Sequence, residues 1–153
     1  LSQGSYNERK EETTAASKTL NVSSLRYAFL DQINLIEDLI VRKRAKHIIS
    51  ENDRVILATS CLEENDAKQF GEYMYLSHKS MRDDYEISSD KLNRVVDCAK
   101  TNGALGARLT GAGFGGCVII LTENEKADSM AQSILSQCPQ ASLVTTISGK
   151  LNS

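Results

Sequence analysis

The residues with the most suggestive spacing have no side chains. Six of the nine glycines fall between Gly103 and Gly116, and four crowd into GAGFGG, directly before the apolar run CVIIL. Glycine inside an element costs roughly 0.5–1 kcal/mol against alanine, so such a cluster marks a backbone that something must approach closely. Gly111, Gly113 and Gly116 satisfy G-x-G-x-x-G. A dinucleotide-binding turn needs those glycines to open a helix, so that a pyrophosphate meets the helix N-terminus; here they open a strand. With Val118 the pattern also fits the protein-kinase glycine loop, but that reading needs V-A-I-K, H-R-D and D-F-G, and none is present. A Walker A loop would need G-K-[ST]. Two readings stay open on spacing alone: a tight glycine hairpin with close packing, or a loop whose backbone approaches a ligand or another loop.

The other chemically capable residues read more plainly. Asp83, Asp84 and Glu86 offer carboxylates, but Asp83 and Asp84 are adjacent and the set is not spaced as calcium ligands, so they are expected to cap a loop or pair with nearby arginines. His78 lies four residues after Met74 on an apolar helical face and reads as a core or interface histidine. The basic run RKRAKH, Arg42 to His47, is expected to spread over a solvated helix face. Cys61, Cys98, Cys117 and Cys138 lie 37, 19 and 21 residues apart, without C-x-x-C or paired histidines. That spacing argues against a metal site. Reduced thiols on apolar faces are favoured over two disulfides, and Cys117 reads as a small buried hydrophobe.

These residues must be carried by a helix-rich chain with one proline in 153 residues. A helix is expected over 7–20, which is charged and alanine-bearing, and further helices mostly over 25–41 and over 41–62 and 66–81, from apolar residues at helical spacings. Ser88 or Ser89 caps a further helix carrying Leu92, Val95, Val96 and Ala99. The period then changes. Strands are expected over 107–110 and 117–121, around the glycines. Thr122-x-x-Glu125 reads as a capping box opening a helix that Pro139 ends, and β-branched SLVTTI, 142–147, as a last strand. The composition, 41% apolar and 25% charged, is that of one globular domain. A net charge of −2 argues against nucleic acid or an anionic membrane held by bulk electrostatics. No apolar run approaches a spanning helix, and no basic-then-apolar leader opens the chain. It starts at Leu1 rather than Met, and is expected to be a piece of something longer.

Several runs carry a family resemblance. GARLTGAGFGGC resembles the third signature motif of the galactokinase, homoserine kinase, mevalonate kinase and phosphomevalonate kinase (GHMP) superfamily, most closely that of galactokinases. SHKSMRDDYEISSDKLNRVV, 77–96, is similar to the galactokinase run S-H-x-S-L-R-D-D-Y-E-V-S and its following helix. RAKHIISENDRV, 44–55, is similar to R-A-x-H-x-x-x-E-x-x-R-V. YNERKEE, 6–12, and LNVSSLR, 20–26, resemble Y-N-x-R-R-x-E and L-G-V-x-S-L-R. The matches run in family order along nearly the whole chain.

The resemblance implies an α+β fold, with an antiparallel sheet and helices mainly on one side, as in the ferredoxin-related carboxy-terminal domain of these kinases. It implies that residues 1–153 are that domain of an enzyme moving the γ-phosphoryl group of ATP to the anomeric hydroxyl of galactose. The family's sugar-binding G-R-x-N-x-x-G-E-H-T-D segment, its P-x-G-x-G-L-S-S-S phosphate loop and its catalytic Asp and Arg belong to an amino-terminal domain and do not occur here. No catalytic residue and no metal ligand are therefore expected in this chain, and ATP and magnesium are expected to be held mainly by that other domain. Carried over by position, Tyr6 matches a tyrosine that contacts the sugar. Thr110, Gly111, Gly113, Gly115 and Gly116 match the loop that closes over phosphate and sugar. Phe114 stands where N-acetylgalactosamine kinases and yeast galactose sensors carry tryptophan, which points to galactose itself. A binding module that kept the fold without catalysis is the rival from another class. The partners implied are galactose, ATP and the amino-terminal domain, in the cytoplasm, with no nucleic acid and no membrane.

Overall fold

The structure, a computed structural model, describes residues 2–149. Among these residues are five α-helices and one antiparallel hairpin, with short 3₁₀ turns in some of the connections. Helix α1, Ser2–Thr19, is polar along most of its length. Thr13, Thr14 and Ser17 donate to carbonyls four residues back, and the helix stops at Asn21, whose φ of 52° is left-handed. Helices α2 (Leu39–Glu63), α3 (Ala67–Asp83) and α4 (Asp90–Thr101) each start at a side-chain cap. Asp38 Oδ1 accepts from the Ile40 and Val41 amides, Asp66 Oδ1 from Gln69, and Ser89 Oγ from Leu92. Strands β1, Gly106–Thr110, and β2, Cys117–Leu121, pair with Thr110 opposite Cys117, and α5 spans Ala127–Gln137. No helix among the described residues is long and apolar enough to cross a membrane.

Burial divides into connected clusters. Ala16 of α1 and Leu20 just after it pack with Leu25, Ala28 and Ile36 of the connection and with Ala45 and Ile49 of α2. On the sheet, Ala107, Val118 and Ile120 meet Val96 and Ala99 of α4 and Met130 and Ile134 of α5. Leu109 packs with Leu92, Met81 and Ile87. These alternating sheet residues face the helices on one side, while Ile119 on the other face is half exposed. The fold is thus α+β, with an antiparallel pair and helices mainly on one face.

Helix α3 runs beside β1. A Cβ at Gly71 would lie 2.0 Å from Leu105 O, and one at Gly106 would lie 2.5 Å from Gly71 Cα. The crossing is a backbone contact that only glycine permits. His78, further along α3, accepts the Leu109 amide at Nδ1 (3.2 Å) and donates from Nε2 to Asn93 Oδ1 (3.1 Å). It is a neutral, buried histidine serving the strand edge.

Several expectations are corrected here. Residues 25–41 are not mostly helical. Leu25–Tyr27 and Leu30–Leu35 form 3₁₀ turns, with extended backbone at Ala28, Phe29 and Ile36. The Phe29 amide donates to Gln32 Oε1 (2.8 Å), a local bond that competes with helix, and the apolar residues do not share a face, since Leu25 and Ile36 are buried while Phe29 and Ile40 are exposed. The capping box at Thr122 does not form. Thr122 Oγ1 is buried without a partner, and a 3₁₀ turn, Asn124–Lys126, leads into α5. Residues 142–147 form no strand, and Val144 and Ile147 stand 78% and 88% exposed. A strand needs a neighbour for its backbone groups, and among the described residues β2 pairs only with β1. Cys117 is exposed rather than buried: it opens β2 next to the exposed Gly116, on the side of the strand it shares with the half-exposed Ile119. All four cysteines are free, with Cys98 and Cys138 Sγ 3.3 Å apart.

Candidate functional site

The glycine loop, 111–116, joins the paired ends of β1 and β2. Five of its six residues have positive φ: Gly111 96°, Gly113 82°, Phe114 57°, Gly115 154° and Gly116 102°. Such a path is closed to most L-residues, and Phe114 is a strained exception. At Gly113 the fit is also tight. A Cβ there would meet Ile87 Cβ at 2.7 Å and Ile87 O at 2.8 Å. At Gly111 and Gly115 a Cβ would meet nothing within 4 Å. The loop rests on Ile87, whose carbonyl accepts the Phe114 amide at 2.6 Å.

Ile87 follows the turn 84–86, and that turn is anchored from below. Arg44 of α2 is 2% exposed. Its Nε donates to Glu12 Oε2 (2.9 Å), its Nη1 to Asp84 O (2.8 Å) and its Nη2 to Glu86 Oε2 (2.8 Å). Burial works against the Arg44 charge, but Glu12 and Glu86 outweigh it and raise the pKa above the ordinary arginine value. The Arg44 bond holds the Glu86 carboxyl below its usual range. Glu86 itself has a φ of 56°. From α1, Arg9 Nε donates to Tyr85 O (2.8 Å), and Arg9 also pairs with Glu12. The Arg9 guanidinium stands 6.0 Å from the centre of the Phe114 ring. Beneath the turn, His47 stacks on Tyr85 with ring centres 4.5 Å apart. Ser80 Oγ gives its proton to Asp84 Oδ2, so His47 Nδ1 donates to Ser80 Oγ, at 3.0 Å. Burial pushes the His47 pKa down to about 4.

The expected site residues sit as follows. Thr110 ends β1, and Gly111, Gly113, Gly115 and Gly116 form the loop. Tyr6 lies one turn before Arg9 on α1 and is 58% exposed, so its helix flanks the loop through Arg9 and Phe114. Asp83 and Glu86 pair with Arg82 and Arg44, and Asp84 pairs with Lys46. The solvated-face reading of 42–47 is corrected: Lys43 and Lys46 are exposed, but Arg44 and His47 are buried on the face turned to α1 and the turn. Glu12, Arg44 and Ile87 were not singled out by the sequence. A signal exists for Arg44, since it adjoins Ala45 and precedes Ile48 by four, on the apolar stripe of α2.

Chemically, the loop offers backbone without side chains, able to come close to an anion or a neighbouring loop. Among the described residues no three His, Cys, Asp or Glu groups are placed to hold a metal ion.

Comparison with known proteins agrees with this architecture. Residues 58–140 match the family described as GHMP kinases C terminal. The chain is 40% identical over 143 residues to a galactokinase of Clostridium beijerinckii and 38% identical over 144 residues to one of Enterococcus faecalis, matching 88% of this chain and 37% of each relative. A crystal structure of Lactococcus lactis galactokinase complexed with galactose superposes with a TM-score of 0.84 at 33% identity, over 89% of this chain and 37% of that one. The chain thus spans little more than a third of the length of these relatives. Its tight glycine hairpin on an α3–β1 scaffold and the family match over 58–140 have one conclusion: the chain belongs to the GHMP kinases, as a carboxy-terminal domain of that family.

Proposed function

We propose that residues 1–153 are the carboxy-terminal domain of a galactokinase, which transfers the γ-phosphoryl group of ATP to the anomeric C1 hydroxyl of galactose. The observation that carries this reading is the six-residue glycine loop held on Ile87 beside the helix bearing Tyr6, in a fold that matches a galactose-bound galactokinase along 89% of the chain. In the reaction the C1 oxygen forms a bond to the γ-phosphorus, the bond to the β–γ bridging oxygen breaks, and ADP leaves. Such transfer depends mostly on positioning and charge stabilisation. Tyr6 contacts the sugar. Thr110, Gly111, Gly113, Gly115 and Gly116 form the wall that closes over phosphate and sugar. The proton-accepting group, the phosphate loop and most contacts to ATP and magnesium come from an amino-terminal domain, so this chain alone is inactive. Phe114 favours galactose over N-acetylgalactosamine. The enzyme works in the cytoplasm, without nucleic-acid or membrane partners.

The test is Tyr6→Ala in the full-length enzyme. Loss of one hydrogen bond, worth about 0.5–1.5 kcal/mol, is expected to raise the galactose KM several-fold and leave the ATP KM unchanged. An unchanged galactose KM with a raised ATP KM would remove Tyr6 from the sugar site.

A further inference from the structure

We propose that Arg44 is a positioning residue for this site: its three-way clamp holds the helix that carries Tyr6 and the turn under the glycine loop in one fixed relation. Each guanidinium bond reaches a different segment or point of the turn. Nε goes to Glu12 on α1, Nη1 to the Asp84 carbonyl, and Nη2 to the Glu86 carboxylate. Glu12 also receives Arg9, which donates to the Tyr85 carbonyl and lies against Phe114. The next residue after Glu86 is Ile87, the seat of Gly113 and the acceptor of the Phe114 amide. The path from Arg44 to the loop is therefore continuous and hydrogen-bonded, and it does not pass through the sheet.

A planar fork is required here. Lysine would bring the charge, but its donors radiate from a single nitrogen, whereas here three separate nitrogens reach three separate acceptors. The Arg44 side chain is 3% exposed and that of Glu12 14%, so water does not substitute readily for a missing bond; Glu86, at 47%, is the open end of the clamp. Glu86 is left-handed and Phe114 is left-handed. Two strained residues on facing segments persist only where the surroundings hold them, and Arg44 and Ile87 do so. With its side chain 3% exposed and its guanidinium bonded to Glu12, Asp84 and Glu86, Arg44 acts through the turn.

The consequence for catalysis rests on the galactokinase reading; the clamp itself does not. The experiment uses the full-length protein as wild type, Arg44→Lys and Glu86→Gln, with two readouts. Hydrogen exchange compares the loop peptide 109–118 with α4, which makes no bond to the clamp. In Arg44→Lys the loop is expected to exchange about ten-fold faster with α4 unchanged, as for a local opening. Galactose phosphorylation is expected to fall about ten-fold or more in kcat while the ATP KM stays near wild type, the mark of lost geometry. If Arg44→Lys does not fold, Glu86→Gln carries the test, because its side chain is half exposed, and the same changes are expected at smaller size. Exchange that accelerates equally in α4 and the loop, or a loop as protected as in wild type, overturns the proposal. Selective loss of loop protection in a protein that never phosphorylates galactose would uphold the clamp and reject the galactokinase reading instead.

Discussion

Gly113 and Gly115 are two residues apart and do different work. A Cβ at Gly113 collides with Ile87, whereas one at Gly115 meets open space. Gly113→Ala combines left-handed strain with overpacking and is expected to lose about 2–4 kcal/mol of stability. Gly115→Ala keeps the backbone strain of a φ of 154° but escapes the collision, so it is expected to melt closer to wild type than Gly113→Ala; on the proposed reading, in which the loop closes over the substrates, it is expected to lower kcat of the full-length enzyme far more, on the order of 10²-fold. Thermal melts and kcat measured well below both melting points separate the two. Equal melting losses with near-normal kcat would make the whole loop a packing feature. His47 supplies a pH signature. The unfolded chain takes up its proton as the pH falls through 6.5, the folded chain only near 4. The unfolded state therefore binds more protons in that window, and stability falls as the pH drops from 6.5 towards 4, by roughly 3 kcal/mol at full loss. His78, also held down by burial, acts in the same direction. Glu51 adds a loss below 4.5; burial pushes its pKa up, but Ser77 and Arg54 bring it below the usual range. His47→Asn is expected to flatten the slope of melting temperature between pH 6.5 and 4.5. An unaltered slope would show that His47 is not the titrating group.

At the scale of elements, the α3–β1 crossing is the contact that admits least change. Gly71→Ala places a Cβ 2.0 Å from a backbone oxygen that no side-chain rotation can clear. The expected loss is roughly 3 kcal/mol or more, read as a lowered urea midpoint; Gly4→Ala, where a Cβ meets nothing within 4 Å, is the control. A midpoint within error of wild type would mean that α3 slides on the sheet. Elements whose signals are local were legible in the sequence. The Ser89 cap, the long stripe of α2 and the apolar run of β2 all lie where their residues indicate. Elements whose form depends on distant partners were not. Leu25 to Ile40 repeats at helical spacing, yet Gln32 and Ser24 bond the backbone locally and break the run. SLVTTI has strand composition, but a strand exists only as a pair. The site divided the same way. The glycines announced a special backbone, while Ile87 as its seat and Arg44 as its anchor are contacts between residues 26 or more apart, which composition does not reveal.

For the whole molecule, the central claim is that this domain is one wall of a sugar-kinase cleft and that the rest of the enzyme supplies the other. The chain spans 37% of the relatives it matches, and its glycine loop has open space at Gly111 and Gly115. The most direct measurement is ³¹P NMR of ATP and galactose incubated with the full-length protein, beside the isolated chain 1–153. The full-length protein is expected to consume the γ-phosphate and build a sugar phosphate at C1, and the isolated chain to give neither. A full-length protein that binds galactose and ATP but forms no sugar 1-phosphate, or an isolated chain that forms it, would contradict the account.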